Sequence, residues 1–387
     1  MWSILERILG AAIYLVVLAD IFLTVLYARI GTGIISDRLA RSVWWLFCLV
    51  ARPLASKRAA VLSFCGPAIV ILLITVWILG LALGAGLMIH PHLGSGISAS
   101  NGPTPTDFTT ALYAGAGSIS IVGSSDLVPR SAPLKLFFLL NAMIGTSIIS
   151  LTLTYLMQVY TALRERNAFG LRMHELLGET GDAAELIAGL APQGHVDGAY
   201  TIFAELAADM ARQKEAHHFY PVLFYFRFQQ SFYSVSLFTF SALDAVALVK
   251  TALDDERYGW LKQSAPVTQL WFSALRLVIT LEEAFLPGGP PERLVPDEDE
   301  RERWRNRYRV ALKRLRQAGI VTIADERAGA EAYIALRAQY DRHATTLAPI
   351  MAYDKRDIDP VTADPALAEK RPDFGQRLRG IGSAGSV

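Results

Sequence analysis

Three stretches of the chain carry almost only apolar residues: residues 8–28, a run within 59–89, and residues 136–160. A helix crosses a bilayer core in about 20 residues, so each run predicts one spanning helix. The first run is too long for the apolar core of a cleavable leader, and no convincing small-residue cleavage site accompanies it. It reads as a retained membrane helix. Two other apolar stretches read differently. Residues 43–51 include Trp44 and Trp45 and lie between Arg41 and Arg52. That block is too short to span and predicts a helix lying in the headgroup region. The rival reading makes it a fourth span, with the N-terminus inside. Residues 221–249 are interrupted by Arg227, Gln229, Gln230 and Asp244, which favours a buried helix over a span.

Beyond Arg164 the spacing changes. Residues 183–189, 199–213, 221–253, 267–285 and 299–317 place apolar side chains three and four apart, as amphipathic helices do. Acidic residues at 297–300 precede the last of these, where a helix start prefers them. Pro287-Gly288-Gly289-Pro290-Pro291 reads as a linker. From about residue 354, Pro, Gly, Asp and Ala dominate without periodicity, which predicts a disordered tail.

Charge separates the two halves. Residues 1–163 hold 9 of the 37 Lys/Arg and 5 of the 36 Asp/Glu. The first part is therefore expected in lipid and the second in water. Between the first two spans lie Arg29, Arg38, Arg41, Arg52, Lys57 and Arg58, against Asp37 alone. The connection 90–133 carries one basic residue, Arg130, whereas Arg164, Arg166 and Arg172 follow the third span. The positive-inside rule then puts the first linker and the C-terminal region in the cytoplasm, and the N-terminus outside. The expected fold is an all-α membrane protein: three transmembrane helices, a re-entrant pore helix and filter loop, and an all-α cytoplasmic domain. Its parts would be residues 1–35 (first span), 36–58 (interfacial helix and linker), 59–163 (pore module), 164–350 (cytoplasmic helices) and 351–387 (tail).

Residues 106–129 carry the candidate chemistry. Pro105, Thr106 and Asp107 suit a helix start, and Phe108, Ala111 and Leu112 recur at helical spacing. Small residues at 114–117 would let this helix sit close to its neighbours. Ser118, Ser120, Ile121, Val122 and Gly123 then read as a tight, hydroxyl-rich strand. Flanked by two spans, this is the layout of a loop that enters a membrane and returns. Residues 121–126, Ile-Val-Gly-Ser-Ser-Asp, resemble the potassium-channel filter signature Thr-Val-Gly-Tyr-Gly-Asp. Asp126 and Pro129 also match that family.

The resemblance implies a homotetramer, since one chain supplies one loop and four loops surround a potassium pathway. It implies a filter drawn from Ser120, Ile121, Val122, Gly123, Ser124, Ser125 and Asp126, with backbone carbonyls replacing water around the ion. The permeant species would be a monovalent cation, potassium or sodium; no cofactor is implied. Three positions depart from the pattern. Ile121 replaces a threonine, Ser124 the bracing tyrosine, and Ser125 the second glycine. A left-handed backbone would cost Ser125 about 1–2 kcal/mol. These changes imply a wider, softer entrance with weak discrimination between potassium and sodium. A re-entrant loop in a transporter is the other reading, but transporters usually carry paired repeats, and no second copy is visible.

Gly145 matches the family's inner-helix hinge glycine, and close packing explains a membrane glycine equally well. Thr146, Ser147, Ser150, Thr152 and Thr154 would give the third span a hydroxyl-bearing face, suited to a wet cavity or to helix–helix hydrogen bonds. Asp20 is an acid inside the first span, facing either water or a neighbouring helix. Residues 20–27, 171–174 and 218–223 are also similar to segments of bacterial two-transmembrane pore-loop channels. That resemblance implies the bacterial inner membrane, a multi-pass topology and contact with membrane lipid.

Other chemistry is not signalled. There is no G-x-G-x-x-G after a strand and no strand–helix alternation, so a nucleotide-binding gating domain is not expected. His217 and His218 are adjacent, so on a helix they point apart. Cys48 and Cys65, the two cysteines, suggest neither a disulfide nor a metal site. The basic stretch 301–316 reads first as a solvated helix face, then as an anionic-lipid contact, and last as a nucleic-acid surface. No nucleophile–base pair, phosphate loop or small-molecule site emerges, and no enzymatic role is expected. The expected function is a pore-loop cation channel; the alternative is a non-conducting, channel-derived membrane scaffold.

Overall fold

The computed structural model describes residues 2–27, 29, 33–123, 126–191, 194–196, 198–286, 288–289 and 295–363. The chain divides into two compact units. Unit 1 is Met1–Leu163 with His217–Arg227, and unit 2 is Arg164–Ala216 with Phe228–Val387. Residues 217–227 thus depart from the contiguous domain expected over 164–350.

Unit 1 opens with α1 (Trp2–Ile21), which runs into a π-helical turn, Phe22–Leu26. Next come α2 (Ser36–Ala51), a 3₁₀ segment Arg52–Lys57, α3 (Arg58–Ser63) and α4 (Cys65–Ile89). Strand β1 (Ile97–Ala99), helix α5 (Phe108–Ile119) and strand β2 (Leu127–Pro129) lead to α6 (Ala132–Leu176). Helices α1, α4 and α6 share a core of Tyr14, Val17, Ile21, Leu73, Trp77, Leu81, Ala85 and Ile148. Gly10 and Gly84 let α1 and α4 approach: a Cβ on Gly10 would lie 2.7 Å from the Gly84 carbonyl oxygen. Small residues at such contacts are how helices associate where lipid removes the hydrophobic drive.

Asp20 is fully buried near the end of α1. Its Oδ1 accepts from the Ile35 and Ser36 backbone N–H groups at 2.8 and 3.3 Å and from the Ser36 hydroxyl at 3.2 Å. Its Oδ2 accepts from Trp77 Nε1 at 2.7 Å. The carboxylate therefore caps the positive end of α2 and ties α1 to α4. Four neutral donors thus surround the buried carboxylate. Trp77→Phe should keep the packing but orphan Oδ2, lowering stability by about 1.5–3 kcal/mol. Thermal unfolding in detergent micelles would read this out, with Trp45→Phe as an exposed-tryptophan control.

Helix α2 is 16 residues long and buries Ser36, Ala40, Val43 and Ala51 while Trp45, Leu46, Leu49 and Val50 remain exposed. The 217–227 stretch packs within the same unit. Tyr225 meets Trp44 with ring centroids 5.8 Å apart, Phe226 meets Tyr160 at 6.0 Å, and Arg227 donates to the Ala59 carbonyl at 3.3 Å.

Unit 2 contains the end of α6 and α7 (Ala183–Leu190), α8 (Ala199–Phe219, whose last turn joins unit 1), α9 (Val235–Ala252), α10 (Asp255–Lys262) and α11 (Ala265–Phe285). Then follow α12 (Glu298–Gln317), α13 (Glu326–Arg337), α14 (Asp341–Ile350), α15 (Lys355–Ile358) and α16 (Pro360–Ala363). Among the described residues, four helical segments are long and apolar enough to cross a membrane: Trp2–Leu26, Arg58–His92, Ala132–Leu176 and Val235–Ala252. The last of these, α9, is buried along its whole length except at Lys250 and packs against α7, α11, α13 and α14. It is the core helix of unit 2. The helix expected over 221–253 begins only at Val235, because residues 221–225 and 231–233 close into short 3₁₀ turns. Residues 351–363, expected within the disordered tail, are instead folded. Met351, Tyr353, Ile358 and Val361 are buried, and Asp354 caps α15. Residues 364–387 lie outside the described residues.

Asp244, midway along α9, accepts from Arg307 Nη2 at 2.9 Å and from the hydroxyls of Tyr333 and Tyr340 at 2.5 and 2.8 Å. Arg307 Nη2 also donates to Asp182 at 2.6 Å, and Asp182 caps α7. Arg337 donates to Tyr333 Oη at 2.9 Å, to Asp341 at 3.1 Å and to Asp359. Burial raises the Asp341 carboxyl above its ordinary value against the pull of Arg337. On α12, the basic stretch is largely consumed by ion pairs within unit 2. Arg301 and Arg305 meet Glu298 and Glu331, Arg309 meets Glu302, Arg316 meets Glu326, and Arg314 grips Glu185 at 2.5 and 2.7 Å.

Candidate functional site: the loop between α4 and α6

Asp107 starts α5. Its carboxylate accepts from the Thr110 backbone N–H at 2.9 Å and from the Thr110 hydroxyl at 2.8 Å. Those bonds hold the Asp107 carboxyl below the usual carboxylate range. The helix is 12 residues long, about 18 Å at 1.5 Å per residue and too short to span. Its small face lies on α4: a Cβ on Gly115 would meet Gly86 N at 2.5 Å and Ala82 O at 2.8 Å.

A buried polar chain fixes the far end of α5. Tyr14 on α1 donates to Asn141 Oδ1 at 3.0 Å, Asn141 Nδ2 donates to Ser118 Oγ at 2.9 Å, and Ser118 Oγ donates to the Gly115 carbonyl at 2.8 Å. Three helices are thereby tied at one point. Sequence reasoning passed over Tyr14 and Asn141, because neither belongs to a motif; an amide within an apolar span was the available signal.

Both ends of the excursion meet. Strands β1 and β2 pair antiparallel, with Ile97 opposite Pro129, Ser98 opposite Val128 and Ala99 opposite Leu127. The ribbon rests on Ile89, Leu93, Ala111 and Ala114. Ser100 N–H donates to the Asp126 carbonyl and Arg130 N–H to the Gly96 carbonyl, both at 2.8 Å, and Arg130 Nε donates to Ser98 Oγ at 2.7 Å. Between its two strands the chain descends α5 as far as Gly145 of α6. A Cβ on Gly145 would lie 1.9 Å from the Ile119 carbonyl oxygen. Gly145 stands 13 residues into α6, about 20 Å along its axis. From Ile119 to Leu127 the chain has eight residues, with a reach of at most about 28 Å, enough to climb back.

The strand expected after Ser118 is not formed in residues 120–123, which make a bend. Gly123 N–H donates to the Ser120 carbonyl at 3.2 Å, and Val122 N–H to Ser120 Oγ at 3.2 Å. Gly123 has φ +73°, the left-handed region open to glycine. Ile121 and Val122 are 70% and 92% exposed. Ser124 and Ser125 lie outside the described residues, and Asp126 is exposed beside the ribbon. Asp20 is not part of this group; it belongs to the α1–α2–α4 junction.

Along α6, Thr146, Ser147 and Thr154 are exposed, and each hydroxyl donates to the carbonyl four residues earlier at 2.9 Å. Across the ribbon end, His90 places Nδ1 2.7 Å from Glu6 Oε1 and Nε2 3.2 Å from the Thr106 carbonyl. Among the described residues, no group of three or more His, Cys, Asp or Glu side chains could hold a metal ion.

The chain is similar to the uncharacterized membrane protein YdjJ of Bacillus subtilis (strain 168). They are 23% identical over 313 residues, which cover 79% of this chain and 83% of that protein. No family model and no solved structure matches. Together with its apolar helices, the similarity marks this chain as a mostly helical membrane protein.

Proposed function

We propose that the protein is a pore-loop cation channel, assembled from four copies around the loop between α4 and α6. One observation carries the reading: a capped helix too short to span leaves a ribbon, reaches about 20 Å along α6, and returns to the same ribbon. In a bilayer core of about 30 Å that depth corresponds to a turn inside the membrane. Backbone away from regular structure is tolerated there only when buried in protein or lining water. The C-terminal end of α5 would aim its carbonyl dipoles at the turn, which favours a cation. The uncovered side chains of Ile121 and Val122 would pack on neighbouring copies, and the Thr146–Thr154 hydroxyls would line the cavity below.

Three spans, α1, α4 and the first part of α6, fit this arrangement, with α9 left to the core of unit 2. The basic residues between α1 and α4 favour the cytoplasm for α2 and the C-terminal unit, and the proposed home is a bacterial inner membrane. Weak selectivity between potassium and sodium follows from Ile121, Ser124 and Ser125 in place of threonine, tyrosine and glycine. A non-conducting scaffold is the second reading. It is favoured by the Ser120 carbonyl, which the Gly123 N–H already occupies.

Purified full-length protein in planar bilayers, under opposed potassium and sodium gradients, tests both. Single-channel currents with a reversal potential near zero are expected. Absence of current under every gradient would overturn conduction, and a strongly potassium-selective reversal would overturn the softened filter.

A further inference from the structure

At the ribbon end of unit 1, the N-terminal turns of α1, the end of α4 and the first turns of α6 line an open groove of about 610 Å³. That volume falls within the roughly 300–1,000 Å³ typical of small-ligand sites. Its walls are Ile4, Ile8, Met88, Leu134 and Phe137, and its polar side chains are Arg7, His92 and Ser131. The apolar walls belong to helices of spanning length, so an occupant enters from among lipid chains.

The polar members are three donors without acceptor side chains among the described residues. Arg7 uses Nε on the Ser3 carbonyl at 3.2 Å, which leaves its two terminal nitrogens. Glu6, the adjacent carboxylate, is held by His90 at 2.7 Å on a different face. No carboxylate among the described residues pairs with Arg7, and no carboxylate lines the groove. A guanidinium, an imidazole and a hydroxyl at the rim of an apolar slot match a phosphate diester that carries hydrocarbon chains.

We infer that this groove binds one anionic phospholipid, its phosphate on Arg7, His92 and Ser131 and an acyl chain along Ile8, Met88 and Phe137. Because α1, α4 and α6 all contribute, the lipid would brace the first span against the two that flank the loop. The inference stands without ion passage.

The test uses full-length protein reconstituted in equal phosphatidylglycerol and phosphatidylcholine. It is then extracted in mild detergent, and native mass spectrometry counts the retained lipids. One phosphatidylglycerol per chain is expected, enriched about fivefold over phosphatidylcholine, the scale of one basic residue at an anionic surface. Arg7→Gln should remove the enrichment and Arg7→Lys should restore part of it. Ala11→Trp, which fills the groove and leaves the charges in place, should expel the lipid altogether. Size-exclusion profiles identify any variant that fails to fold, and the other then decides. Equal retention of both lipids by the native protein, or retention untouched by Arg7→Gln and Ala11→Trp, would overturn the inference. Displacement by millimolar inorganic phosphate alone would also overturn it, reassigning the groove to a free anion.

Discussion

Asp244→Ala is expected to lower the stability of unit 2 by about 3–5 kcal/mol, the range for breaking a buried ion pair from one side. A domain is stable by only about 5–15 kcal/mol, so most of the margin would go. Asp244 and Arg307 are both buried, and Asp244 also takes the hydroxyls of Tyr333 and Tyr340. Removing the carboxylate leaves Arg307 with Asp182 as its remaining acidic partner in the interior. Two tyrosine hydroxyls lose their acceptor, each at about 1–3 kcal/mol if left unsatisfied. Asp244→Asn should cost less, because an amide oxygen still accepts. Replacing Asp182, Asp244 and Arg307 together with apolar residues of similar volume should cost less than the single alanine, since no orphan charge remains. Urea titration of the full-length protein in detergent, followed by near-UV circular dichroism, separates these cases. A loss below about 1 kcal/mol for Asp244→Ala would show that this network does not hold the unit together.

That network also shows where sequence reading stops. Asp244 stood out, with Arg227, Gln229 and Gln230, as a polar interruption in an apolar run, and the preference for a buried helix came from those four. Its partners come from α12, α13 and the residue that precedes α14, 63 to 96 residues away, and no local period points to them. Likewise the Arg-rich stretch of α12 is legible as basic, whereas its pairing with Glu185, Glu326 and Glu331 depends on which helices pack beside it. Asp20 teaches a different lesson. Its donors are two backbone N–H groups, a hydroxyl and an indole, which carry no formal charge and so leave no charge pattern in the sequence.

The three apolar runs were legible from length alone, since twenty successive apolar residues leave helix as the economical choice in lipid. Helix α5 was readable from Asp107 and the small residues after it. The paired strands 97–99 and 127–129 were not: each is three residues long and their partnership spans 28 positions. The bend at 120–123 was misread as a strand. Its valine and isoleucine favour extended backbone, but Gly123 with positive φ and the Ser120 hydroxyl turn the chain instead.

Gly145→Ala is the second large effect, and it separates two meanings of that glycine. The added methyl would lie 1.9 Å from the Ile119 carbonyl oxygen and 2.9 Å from its carbon. Both atoms are backbone, so no side-chain rotation relieves the clash. Either α5 withdraws or α6 bows outward, and overpacking of this kind costs about 1–3 kcal/mol. The end of α5 is where the buried chain from Tyr14 through Asn141 to Ser118 terminates. A shift there would strain those hydrogen bonds and move the 120–123 bend. The expected results are a lower melting temperature, faster thiol labelling of a Val122→Cys reporter in the same background, and, on the channel reading, loss of current. A hinge would behave otherwise. If Gly145 served only to let α6 flex, alanine would leave melting and labelling unchanged and alter open times alone, because a methyl on a straight helix removes flexibility without displacing a neighbour. Unchanged melting and labelling would therefore remove the packing argument and return Gly145 to gating.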